Sequence, residues 1–134
     1  MKIIGFASQL AMGKDTAADY LAEQLNKSRK LGDWIRCGFA DAVKNTFCQA
    51  FDVDRQFLEK WKRINHPPEN MLMPIRQALQ FIGDGFRNIK SDIWIDIALR
   101  DTSKQLIISD CRYHNEAKNI HQRGGINVVI YRPN

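Results

Sequence analysis

The sequence predicts an α/β domain: three layers, in which a parallel sheet of about four strands is covered by helices and a helical insertion interrupts the strand pattern. Three observations carry that expectation. The chain opens on a run over residues 2–7 that is apolar on both faces, as the centre of a helix-covered parallel sheet requires. An amphipathic stretch and a second short strand follow it, and a strand, helix, strand order with parallel strands demands a right-handed crossover. The strand pattern then returns only near Gln105, after a long middle of helical periodicity.

Each element has its own local reason. From 14 to about 28, Ala17, Tyr20, Leu21 and Leu25 recur at helical spacing while Asp19, Glu23 and Lys27 lie elsewhere on the helix. "GDW" turns the chain into "IRCGF", the second strand. In "ADAVKNTFCQAF", Ala42, Val43, Thr46, Phe47, Ala50 and Phe51 form a helical stripe, and "DRQFLEKWKRI" continues as a further helix. "NHPPENMLM" reads as a loop, and Pro74 stands where a first helical turn tolerates proline. Ile75, Ala78, Leu79, Ile82 and Phe86 extend that helix, with Gly83 and Gly85 weakening its far end. "SDIWIDIAL" starts another helix with Ser91 as its cap. "QLIISD" is the third strand, "HNEAKNIHQRGG" a helix closed by Gly124 and Gly125, and "INVVIY" the fourth strand. The expected organisation is a single domain, with a core of 1–40 and 104–134 and an insertion of 41–103, a size suited to the 134 residues.

Composition narrows the class. Hydrophobic residues make up 44% and charged residues 26%, and no segment has the long uncharged apolar run that crossing a bilayer needs, so no membrane partner is expected. The lone lysine and short apolar run at the N-terminus are too weak for a secretory signal. Three cysteines (Cys37, Cys48 and Cys111) without Cys-x-x-Cys spacing argue against a disulfide framework or zinc ribbon and fit a reducing cytoplasm; Cys111, His114 and His121 lack the spacing of a closed zinc site. The formal charge of +5 points to anionic partners without choosing between nucleotides and nucleic acid. A homodimer stays open, since apolar residues in the middle helices suit a dimer as well as a core.

The stretch "ASQLAMGKDT" follows the first strand and opens the first helix. Backbone N–H groups of such a loop wrap phosphates, the helix N-terminus adds its positive end, and a lysine neutralises charge. Here the pattern is S-x-x-x-x-G-K-D-T. Ser8 takes the first glycine position, and Asp15 replaces the usual hydroxyl residue while Thr16 offers one next door. A carboxylate at Asp15 can hold magnesium directly or through water. The alternative is an ordinary strand-to-helix turn with a solvated lysine.

Together, "GKDTAADYLAEQL", "FADAVKNTF", "RQALQFIGDGFRNIKSDIWIDIAL" and "SDCRYHNEAKNIHQRGGINVVIYRPN" resemble the phage-type deoxynucleoside monophosphate kinases of the phosphate-loop kinase superfamily, from residue 2 nearly to the end. The resemblance implies ATP-dependent, magnesium-assisted phosphorylation of a deoxynucleoside monophosphate to its diphosphate. It implies an ATP site of Ser8, Ala11, Met12, Gly13, Lys14, Asp15 and Thr16, with Arg132 at the far end of the chain, and Lys14 attending the transferring phosphate. Asp41 of "FAD", Arg76 of "RQALQ" and Arg112 of "SDCR" would line the acceptor site. It also implies that the third strand inserts between the first and second, with the fourth on the other side of the first. A fifth strand and a closing lid would follow Arg132 and Pro133; the sequence stops at Asn134, so the expectation is ATP binding with weakened transfer.

The residues themselves make that chemistry sensible. An acceptor phosphate is already an anionic nucleophile and needs positioning and charge neutralisation more than a base. Arg76, Arg87 and Arg112 have the fork geometry that grips phosphate, although helix arginines are usually solvated. Asp41 can cap the next helix, contact the acceptor nucleotide or orient an arginine. Asp110, at the end of the third strand, is placed for magnesium or for a turn, with Asn115 as another cap. Phe81 and Trp94 suit stacking on the acceptor base, or a core. "KWKR" at 60–63 offers a nucleic-acid contact or a solvated helix face; polynucleotide is the less favoured partner, kept as a non-catalytic binding-module alternative. A hydroxyl acceptor would need Asp41 as base.

Overall fold

Ile3 and Phe6 lie on opposite faces of the first strand and both are buried, so helices must cover the sheet on both sides. In this computed structural model, which describes residues 2–8, 13–27, 33–101 and 103–131, the order is β1 (Lys2–Ser8), α1 (Lys14–Lys27), β2 (Trp34–Cys37), α2 (Ala40–Phe51), α3 (Arg55–Lys62), α4 (Ile75–Ile89), α5 (Ile93–Ala98), β3 (Gln105–Cys111), α6 (His114–Gln122) and β4 (Ile126–Ile130). The chain forms two compact units, residues 1–39 with 95–134, and residues 40–94. Residues 95–103, counted with the insertion from sequence, therefore cluster with the sheet.

The first unit is a parallel four-stranded sheet in the order β2-β3-β1-β4, with β3 between β1 and β2 as expected. On one face α1 lays Ala17, Ala18, Leu21, Ala22 and Leu25 over Ile4, Phe6, Ile107, Trp34, Val128 and Ile130. On the other, Ile95 and Leu99 join Ala117 and Ile120 of α6 over Ile3, Leu106, Ile108 and Cys111. The buried stripe of α1 centres on Ala18, so Tyr20, two residues on and nearly opposite, is 64% exposed rather than part of the stripe. α6 ends in a Schellman closure, Gly125 N–H to Ile120 O at 2.9 Å and Gly124 N–H to His121 O at 3.0 Å.

The second unit packs α2, α3 and α4 around Phe47, Leu58 and Ile75. Asp54 caps α3 by accepting the Phe57 N–H at 2.8 Å. Pro74 stands one residue ahead of α4, in an extended conformation, instead of inside its first turn. The helix runs unbroken through Gly83 and Gly85, because packing of its apolar face outweighs their low helix propensity. α5 starts at Ile93, with Ser91 in the turn before it. Phe51 is half exposed at the end of α2, its ring 4.6 Å from Phe47.

Phe47→Ala removes a fully buried ring and is expected to destabilise the second unit by about 3–5 kcal/mol, read as a shift of the urea midpoint. Leu72→Ala, at an exposed position, should move it by no more than about 0.5 kcal/mol.

Candidate functional site

In the sheet unit, candidate residues gather at the C-terminal ends of the strands, where parallel α/β folds bind their ligands. Ser8 ends β1, its backbone opposite Ile130 of β4. Gly13, directly before α1, has φ of 86° and accepts the Ala17 N–H at 3.0 Å, a left-handed helix start that a side chain would strain. Lys14 is the first residue of α1 and half-buried; it forms no hydrogen bond or ion pair among the described residues. The backbone N–H groups of the first turn have no partner within the helix, which makes this end attractive to an anion. Ala11, Met12 and Arg132, expected in the ATP site, lie outside the described residues, as does the side chain of Ser8.

Asp110 lies on β3, the strand next to β1. Between the pairs Gly5–Ile108 and Ala7–Cys111 β3 carries one more residue than β1, a bulge of the kind that re-aims side chains beside functional sites. The carboxylate meets the turn after β2. Its Oδ1 accepts the Phe39 N–H at 2.7 Å, and a Cβ on Gly38 would fall 2.6 Å from Oδ2, so only glycine lets the turn approach this closely. The Cys111 thiol is pushed up to about 12, first by burial, then by the negative charges of Glu116 and Asp110, with Lys14 opposing them. Lys14, Asp110 and Glu116 thus act on one buried sulfur. The Glu116 carboxylate, buried itself, accepts the Arg112 N–H at 3.2 Å and ties down the turn into α6. Asn115 lies inside α6 rather than at its cap, which is Tyr113. The Arg112 guanidinium is exposed and unpaired among the described residues.

Asp15 and Thr16 follow Lys14 in the first turn of α1. Asp15 Oδ1 accepts from Arg36 Nη2 at 2.8 Å, and Asp19 Oδ1 is 2.9 Å from Arg36 Nε. Sequence reasoning missed Arg36. The available signal was two carboxylates at i, i+4 and one arginine in the next strand. No group of three or more His, Cys, Asp or Glu side chains among the described residues is arranged to hold a metal. A magnesium ion here would therefore draw most of its oxygens from phosphate and water, which is its usual habit, with Thr16 and Asp110 as protein donors of the right kind.

In the helical unit, Asp41 lies in the first turn of α2, 3.6 Å from Arg55 Nη2, while Arg55 Nη1 donates to Asn45 Oδ1 at 2.9 Å. Glu59 joins the same group, 3.0 Å from Lys44, 3.1 Å from Lys62 and 3.7 Å from Arg55. The Lys44 hydrogen bond is the largest influence and, helped by the smaller one from Lys62, overcomes burial and holds the Glu59 carboxyl at about 2. Arg76 is exposed near the start of α4 and unpaired among the described residues. Arg87 is 3.2 Å from Asp84. Phe81 is 71% exposed and is no core residue. Trp94 is 3% exposed, donates its indole N–H to Gly83 O at 3.1 Å and stacks on Phe86 at 5.1 Å. Its surroundings are those of the core alternative. Within "KWKR", Trp61 packs against the Phe47 cluster and Lys62 is paired with Glu59, which leaves Lys60 and Arg63 on the exposed side.

A parallel α/β sheet with a glycine-lysine turn opening its first helix is consistent with the class of nucleotide-binding, kinase-like proteins. No protein-family model matches the chain. A protein of Acanthamoeba polyphaga mimivirus named "Putative deoxynucleotide monophosphate kinase" is 26% identical over 152 aligned residues, which span 99% of this chain and 75% of that protein. No helix among the described residues is long and apolar enough to cross a membrane.

Because the folded Glu59 carboxyl titrates at about 2 instead of 4.5, its contribution to stability is complete above about pH 4.5 and is lost as pH falls toward 2. Glu59→Gln should therefore lower the melting temperature at neutral pH, and the gap from the parent chain should close on acidification.

Proposed function

We propose that the chain transfers the γ-phosphate of ATP to the phosphate of a deoxynucleoside monophosphate, giving two diphosphates. The observation that carries this reading is Lys14, half-buried and without a counter-ion among the described residues, at a helix start that Gly13 opens beyond the C-terminal end of a central strand. The mimivirus relative's name agrees with it.

In this reading an acceptor phosphate oxygen attacks the γ-phosphorus, the new P–O bond forms, and the bond to the β–γ bridging oxygen breaks to release ADP. No proton need be removed from a phosphate dianion, so the protein supplies charge and alignment. The first-turn amides of α1 and Lys14 hold the donor phosphates and offset charge that builds on the transferring group. Arg112 and Arg76, both unpaired among the described residues, are the proposed phosphate-binding side chains, with Arg87 as a further donor. Asp41, oriented by Arg55, contacts the acceptor nucleoside, and exposed Phe81 offers its base a ring. Magnesium, when bound, neutralises phosphate charge, with Thr16 and Asp110 as the side chains suited to hold it or its waters.

The test is ADP release from magnesium-ATP with each common monophosphate. Lys14→Ala is expected to cut turnover by about 100-fold or more with the melting temperature retained. Arg76→Gln should raise KM for the monophosphate by about tenfold and leave KM for ATP unchanged. A parent chain that releases no ADP with any monophosphate overturns the proposal.

A further inference from the structure

The face that α1 lays on the sheet is rich in alanine: Ala17, Ala18 and Ala22 alternate with Leu21 and Leu25. Small side chains make a shallow, smooth contact, which resists rotation and sliding of the helix less than interlocked large ones do. Polar ties at its two ends take up that role. At the C-terminal end Asn26 holds the backbone of β2 from both sides, its amide donating to Trp34 O at 3.0 Å and its carbonyl accepting the Trp34 N–H at 2.8 Å. At the N-terminal end one guanidinium reaches two carboxylates a helical turn apart, Arg36 Nη2 to Asp15 and Arg36 Nε to Asp19. Arg36 is opposite Ile107 in the ladder, so the bridge is anchored on edge strand β2, paired to β3, and not on a loop.

We propose that Arg36 is a positioning residue: by bridging Asp15 and Asp19 it sets the rotation of the first turn of α1, and with it the direction in which Lys14 and the first-turn amides face. The consequence for binding rests on the phosphate-binding reading of Lys14; the bridge itself does not. Without Arg36, two carboxylates at i, i+4 repel each other and loosen the turn. The same geometry reassigns Asp15. Its Oδ1 is engaged by Arg36, so it works as half of a clamp, and a magnesium ion would have only its other oxygen. Lysine cannot replace Arg36, because a single ammonium on a flexible stem lacks the rigid fork that spans both acceptors.

The sign of one effect separates the clamp from its rivals. ATP affinity, measured with magnesium chelated, is compared in the parent chain, Arg36→Gln, Asp15→Asn, the double variant and Arg36→Lys. Amide hydrogen exchange of Ala17 and its helical neighbours is followed in the nucleotide-free proteins. Through-space charge alone makes Asp15→Asn bind ATP more tightly, since an anion is removed beside an anion site. The clamp instead predicts that Asp15→Asn and Arg36→Gln both weaken it by about fivefold, that the double variant is no worse than either, and that Arg36→Lys does not restore it. Exchange should quicken in all of these variants, most in Arg36→Gln, which leaves the two carboxylates facing each other. Unchanged or tighter ATP binding by Asp15→Asn, additive losses, or unaltered exchange overturns the proposal. A parent chain that binds no ATP overturns the kinase reading instead, and the exchange measurement then decides on Arg36 by itself.

Discussion

The structure of the sheet unit depends on β3 being buried on both faces: Ile107 and Ile108, consecutive and pointing opposite ways, are each 0% exposed. A strand in that situation needs cover on both faces, and β1 and β2 flank it in parallel. Parallel neighbours need crossovers, so helices are laid over both faces, and the strand ends that receive ligands all open on one side. The positions of Lys14, Asp110 and Arg112 follow from this burial before any polar contact is considered.

Charge is used differently in two sets of residues. Arg36, Lys44, Arg55, Lys62 and Arg87 each have a carboxylate within 4.0 Å. The pairs of Arg36, Lys44 and Arg55 tie a helix to a strand or to another helix, those of Lys62 and Arg87 lie within one helix, and each is only partly buried, so geometry matters more than energy in them. Lys14, Arg76 and Arg112 have no such partner among the described residues. A cation without a local carboxylate partner is available to an external anion, which is the property a phosphate-transfer site needs.

Asp110 shows how backbone and site are joined. The bulge in β3 turns its carboxylate toward Gly38 and Phe39, so a group read from sequence as a metal or turn residue also anchors the end of β2. Such a contact cannot be anticipated from spacing, because it joins residues 71 positions apart. Trp94 and Phe81 make the same point in reverse: both occur at helical spacing, yet one is enclosed and hydrogen-bonded to Gly83 while the other faces outward. Periodicity orders residues around a helix axis but does not say which side another helix will cover.

What the sequence by itself determined was the succession of strands and helices, the parallel α/β class and the turn at Gly13 and Lys14, because each is written in near-neighbour patterns: apolar runs, helical stripes and a glycine before a helix. The closure of α6 by Gly124 and Gly125 was equally local. Only the tertiary structure decided the bulge beside Asp110, the burial of Trp94, the exposure of Tyr20 and Phe81, and the bridge from Arg36 to Asp15 and Asp19. Each of these depends on which surfaces meet after the chain has folded, and that is set by the packing of distant segments rather than by the order of adjacent residues.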